Sequence, residues 1–107
     1  MHARMSTFEA GRALSDEDVA QIQRTAEEQI LPAARGMDGF RGILYLMDRG
    51  TGKSISVTLW ESEAALRASE EAANRLRERS AQEAGEEIRG VDRFEVAYFE
   101  LDRNVVA

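Results

Sequence analysis

The 107-residue sequence contains no cysteine. Disulfides, thiolate metal sites, iron–sulfur clusters and a cysteine nucleophile are therefore excluded. Its one histidine, His2, is isolated at the start of the chain. That leaves Ser-His-Asp catalysis without a usable base and a metal without an imidazole set, so no metal site is expected. No apolar run approaches the ~20 residues that cross a bilayer, so no membrane partner is expected. The first residues lack the basic start and apolar stretch of a signal peptide. Positive charge is in deficit: 14 Lys+Arg stand against 20 Asp+Glu, a net charge of -6. Phosphate neutralisation needs a basic face, so the deficit argues against nucleic acid as the main partner. What remains is 43% hydrophobic and 32% charged, the balance of an ordinary soluble globular chain. The expectation is one domain over residues 1–107, cytoplasmic, with a small core.

Residues 2–9 alternate loosely, Ala3, Met5 and Thr7 against Arg4, Ser6 and Phe8, and read as a strand. Ser15 followed by Asp16, Glu17 and Asp18 is a helix start. Val19, Ile22, Ala26 and Ile30 then share one helix face, and Pro32 bends or ends the helix near Ile30. Residues 40–47 form a strand with apolar residues on both faces, Ile43, Tyr45 and Met47 opposite Leu44 and Leu46. A glycine-rich turn over residues 48–52 leads to a return strand, 54–61. There Ile55, Val57 and Leu59 oppose Ser56, Thr58 and Trp60. Ser62-Glu63 opens an alanine-rich helical region, with a second cap-like break expected near Ser69 and a stop at Gly85 or Gly90. The last strand is expected over residues 91–101, and residues 104–107 as a tail or extra edge strand.

The order strand, helix, strand, strand, helix, strand implies an α+β, ferredoxin-like βαββαβ sheet with both helices on one face. Strands that are apolar on both sides conflict with one solvated face. The second face is therefore expected to be closed by a second copy, making a homodimeric α+β barrel.

Gly39-Phe40-Arg41-Gly42 before the hairpin, and Ser56-Val57-Thr58-Leu59-Trp60-Glu61-Ser62-Glu63-Ala64-Ala65-Leu66 after it, resemble the antibiotic biosynthesis monooxygenase-like family. The resemblance implies small dimeric α+β barrels, among them cofactor-free oxygenases of aromatic polyketides, quinol oxygenases and haem-degrading enzymes. The haem-degrading pattern of Asn, Trp and His is missing: Thr7, Ser69 and Arg79 or a neighbour stand near those places. Of the polyketide oxygenases' Asn, Trp, Tyr and Arg, the chain keeps Trp60 and, after a gap, Arg77. Ser56 and Leu66 stand where the Asn and Tyr would bind or polarise a phenol. No cofactor is expected.

The candidate substrate-binding residues are thus Trp60, Ser56, Thr58, Tyr45, Leu66 and Arg77, with no catalytic residue assigned. Trp60 is either an aromatic wall of a pocket or a corner packing residue whose N–H meets backbone. Of Arg75, Arg77 and Arg79, alternate positions on one helix cannot all point inward. The small residues of the second helix leave a volume that is either a pocket or filled by Phe40, Met47 and Phe94. Gly50-Thr51-Gly52-Lys53-Ser54 lies in a hairpin and lacks phosphate-loop spacing. Two functions follow: a monooxygenase acting on a small apolar or aromatic molecule, or a non-catalytic dimeric ligand-binding or interaction module.

Overall fold

In the computed structural model, residues 1–102 are described; the segment 104–107 lies outside them. Strand β1 (His2–Glu9) is followed by helix α1 (Asp16–Thr25), a wide π turn (Ala26–Ile30) and helix α2 (Leu31–Arg35). A hairpin of β2 (Phe40–Asp48) and β3 (Lys53–Trp60) precedes α3 (Glu63–Ala68), α4 (Glu70–Ala84) and β4 (Glu87–Glu95). The sheet order is β2-β3-β1-β4 and every pairing is antiparallel. This is the expected ferredoxin-like α+β arrangement.

Local chemistry accounts for most of the boundaries. Ser15 and Asp18 form a full capping box at the start of α1. Pro32 does not end the helix. It lacks an N–H and crowds the carbonyl one turn back, and the turn before it widens so that the Leu31 N–H reaches the Ala26 carbonyl. The helical path then continues to Arg35. The hairpin closes on Gly52, whose φ of +80° lies in the left-handed region. A Cβ there would sit 2.0 Å from the Arg12 carbonyl oxygen. The second helical region breaks at Ser69, as its sequence suggests. However, the Ser69 hydroxyl does not cap α4: it donates to the Leu66 carbonyl at 2.6 Å and accepts from Arg4 at 2.8 Å.

The last strand differs from its expected 91–101 span. It begins at Glu87, because Gly85 turns left-handed and ends α4. It ends at Glu95, because its partner β1 begins at His2; one further bond, from Val96 N–H to the Met1 carbonyl, closes the ladder. Beyond it, Tyr98, Phe99 and Leu101 are exposed and outside any strand.

The register decides which face does what. Arg4, Ser6 and Phe8 face the helices together with Tyr45, Ser54, Ser56, Thr58 and Trp60. Met5, Leu44, Leu46, Ile55, Val57, Leu59 and Phe94 face away. The helix-covered face is therefore the mixed, polar one. The apolar face has no helix over it, and Leu44, Leu46 and Phe94 stay about half exposed at 54%, 48% and 52%. Phe94 is thus not a plug for the space beneath α4.

Candidate functional site

The space between the helices and the sheet is not filled. Two chambers lie end to end, joined at Phe8, Tyr45 and Ser80, which line both. The outer chamber, about 220 Å³, is bounded by Leu14, Ile22, Tyr45 and Phe8, with Arg12, Asp18, Ser54 and Glu86 also on its lining. The inner chamber, about 60 Å³, runs beneath α4 to Trp60, with Arg4, Ser6, Ser56, Thr58 and Arg77 on its walls. The small helix residues Ala73, Ser80 and Ala84 create this volume, so the pocket outcome holds over the filled core.

Trp60 is 1% exposed. Its indole N–H donates to the Thr58 hydroxyl at 3.0 Å, not to backbone as packing at a corner suggests. The tight fit follows from two neighbours: Phe40 meets the ring edge-on at 5.6 Å, and the Arg4 guanidinium lies 5.6 Å from its centre. Trp60 is both a packing residue and a chamber wall. Ser56 and Thr58 stand beside it on the same strand face and line the same chamber. Leu66 is 2% exposed and buried outside both chamber linings; only its carbonyl joins the site's network, by accepting from Arg4 at 3.0 Å.

The helix geometry separates the three arginines of α4. Arg75 pairs with Glu71 at 3.1 Å on the surface, and Arg79 is exposed. Arg77 turns inward: Nε donates to Ser6 Oγ at 3.1 Å and Nη1 to Asn74 Oδ1 at 2.6 Å. Burial, and then the charge of Arg4, pull its pKa below the usual arginine value.

Arg4 is the residue that the sequence reading passed over. It is 3% exposed, and its polar contacts run through Nη2, to Leu66 O, Ser69 Oγ and Glu70 at 3.1 Å. Its Nε is buried without a hydrogen-bond partner among the described residues. Glu70 also takes both prongs of Arg93 at 2.6 Å, and chiefly for that reason its carboxyl is held down to about 2. The available signal was the alternation that puts Arg4 on the same face as Ser6 and Phe8.

Glu86 was also passed over. It sits just past the left-handed Gly85, half-buried at the outer chamber, and accepts from Ser54 Oγ at 3.0 Å. Burial raises its pKa above the ordinary carboxyl value. Tyr45, on the wall shared by both chambers, is likewise raised, by burial first and by Glu86 second. On the same lining, Arg12 grips Asp18 at 2.5 Å, so these two charges are mutually spent.

No family model matches the chain. An uncharacterised protein of Mycobacterium tuberculosis is 31% identical over 102 residues, 95% of this chain and 43% of the relative. A second uncharacterised protein of that organism is 33% identical over 81 residues, 76% of this chain and 33% of the relative. The chain thus spans less than half the length of the curated relatives it matches. Among solved structures, SnoaB, a cofactor-independent oxygenase from Streptomyces nogalater, superposes with a TM-score of 0.60 at 15% identity, covering 92% of this chain and 95% of its own. The ActVA-Orf6 monooxygenase of Streptomyces coelicolor, solved with nanaomycin D, gives 0.63 at 19% identity, with 94% and 91% covered. The haem-degrader MhuD of Mycobacterium tuberculosis, solved with two haems, gives 0.58 at 20% identity, with 94% and 99% covered. The chain has the fold of the antibiotic biosynthesis monooxygenase-like proteins.

Proposed function

We propose that the chain takes an aromatic molecule of one or two rings into the outer chamber and oxygenates it without a bound cofactor. The observation that carries this reading is the open, ring-walled cavity that continues to the buried Arg4 and half-buried Arg77 guanidinium groups near Trp60. A cavity of about 150 Å³ lined by apolar side chains holds benzene. The 220 Å³ here suits a fused pair of rings and falls well short of a haem. Phe8, Leu14, Ile22 and Tyr45 supply the apolar walls, and Ser56, Thr58 and Arg77 the polar contacts at the inner end.

Converting a ring CH₂ to C=O with O₂, releasing water, balances without an external reductant. The substrate must then donate its own electrons, which it does best as a phenolate. Glu86, desolvated and lining the cavity, is the group placed to take the phenolic proton. The solved oxygenases of this fold support the chemistry by analogy.

The same reading includes a homodimer. The sheet face opposite the cavity is apolar and uncovered, and the exposed Tyr98, Phe99 and Leu101 extend from β4 as an arm for a second copy.

A thermal-shift screen with phenols, quinones, flavins and haem tests the binding. At ten times its Kd a ligand adds about 1.4 kcal/mol, roughly 6–11 °C in a domain of this size. Naphthol-sized phenols and quinones are expected to give that shift, and the phenols, which still carry an oxidisable ring C–H, to consume O₂ one-to-one with product in an oxygen electrode. No shift with any aromatic refutes the site. A shift without O₂ uptake returns the protein to the non-catalytic binding module.

A further inference from the structure

The two chambers differ in charge. The outer one has three carboxylates on its lining, Asp18, Glu83 and Glu86. The inner one has two guanidinium groups and, among the described residues, no carboxylate. Burying cations without a counter-charge is costly, and folded proteins avoid it unless something pairs with them.

The neighbouring charges do not settle this account. Among the described residues Glu70 is the one carboxylate within ion-pair distance of Arg4, and Arg93 already holds it with two bonds. Arg77 spends its bonds on the neutral oxygens of Ser6 and Asn74; Glu70 and Glu78 act on it only from a distance. Among the described residues Arg4 and Arg93 thus share one close carboxylate, and Arg77 has none within ion-pair distance. Arg4 adds a second sign, a buried Nε with no partner among the described residues.

We propose that Arg4 and Arg77 form a seat for a single carboxylate at the inner end of the cavity, and that the molecule it holds is an aromatic acid. The inference rests on the proposed reading that rings occupy the outer chamber, and it names the substrate class within that reading. A planar carboxylate matches planar guanidinium groups in a narrow slot. Ile43 and Leu76 share these walls with the Ser6, Ser56 and Thr58 hydroxyls, and the phosphate titration below separates a planar carboxylate from a tetrahedral oxyanion. An anion arriving there would offset both the burial and, after it, the Arg4 charge that disfavour a protonated Arg77.

The single tryptophan makes the test local, because its indole N–H gives one cross-peak in a nitrogen-15 spectrum. Purified protein is titrated with 2-naphthoate, with its neutral twin 2-naphthamide, and with inorganic phosphate. The seat predicts that 2-naphthoate moves the Trp60 indole signal and binds at least tenfold tighter than the amide. It predicts that Arg77→Gln reduces this preference to about twofold or less, while Arg77→Lys keeps part of it. Arg77 is chosen because replacing the fully buried Arg4 risks unfolding. Equal affinity for acid and amide overturns the seat and leaves the aromatic cavity standing. A preference for the acid that survives Arg77→Gln, or an unmoved indole signal, also overturns it. Phosphate competing at the same concentration overturns the choice of carboxylate. Binding of neither aromatic overturns the cavity reading, and the seat with it.

Discussion

Glu70→Gln is the most informative single substitution, because it removes the close anion from a buried cation and changes little else in shape. Arg4 is 3% exposed, so water cannot replace the lost charge. Arg93 is 45% exposed on its side chain and can turn to solvent. Removing one partner of a buried pair costs about 3–5 kcal/mol. Arg4 retains its bonds to Leu66 O and Ser69 Oγ, which places the expected cost near the lower end, about 3 kcal/mol. Against a total of roughly 5–15 kcal/mol for a domain, that is a large fraction. With a urea slope of about 1–2 kcal/mol/M, the unfolding midpoint falls by roughly 1.5–3 M. Arg93→Gln leaves Arg4 and Glu70 paired and should cost about 1 kcal/mol or less. The acid limb provides an independent check. Glu70 titrates near 2 when folded, below its ordinary 4.5, so its stabilisation is complete above pH 4.5 and lost as pH falls towards 2. In Glu70→Gln that part of the acid dependence disappears. The Asp18 part, which Arg12 also pulls downward, remains. Equal costs for Glu70→Gln and Arg93→Gln, or an unchanged acid limb, would refute the claim that buried Arg4 depends on Glu70 as its close counter-charge.

The remaining predictions concern the backbone, the open sheet face and the cavity carboxylate. Gly52→Ala places a Cβ against the Arg12 carbonyl and should cost well over 2 kcal/mol, whereas Gly85→Ala meets open space and should cost only about 1 kcal/mol for its positive φ; chemical denaturation compares the two. If the open face closes on a second copy as proposed, Leu44→Asp with Leu46→Asp should leave an 11.9 kDa monomer in sedimentation with far-ultraviolet circular dichroism unchanged. Glu86, raised by burial, should leave a rising limb in the pH–rate profile at a pH above the usual carboxyl range. Glu86→Gln should abolish that limb and lower the rate about 10²–10⁴-fold.

The architecture was legible in the sequence because it depends on signals carried by short segments. Ser15 with Asp18, the glycine-rich turn, and the Ser69 break each act over a few residues. Alternation in residues 2–9 and 54–61 correctly divided each strand between its two faces. The end of β4 was not legible, since Val96 to Leu101 continue an apolar pattern past the point where β1 has backbone to offer. Pattern records a side chain's preference; pairing depends on where the neighbouring strand begins. Within the site, Trp60, Ser56, Thr58, Tyr45 and Arg77 do line connected chambers, whereas Leu66 is buried outside them. Arg77 could be separated from Arg75 and Arg79 only by the rotation of α4 over the sheet. Arg4 and Glu86 escaped because a charge on a strand or just after a helix ordinarily faces solvent. Arg4 is buried by its contacts with Leu66, Ser69 and Glu70, and Glu86 is half-buried where it meets Ser54 of β3, both long-range outcomes of the fold.

The central claim is that a small aromatic ring enters the space between helices and sheet. Intermolecular nuclear Overhauser effects from bound 2-naphthol test it most directly. The account predicts contacts from the ring protons to Phe8, Ile22 and Tyr45. Contacts to Leu44, Leu46 and Phe94 instead, on the uncovered side of the sheet, would contradict it.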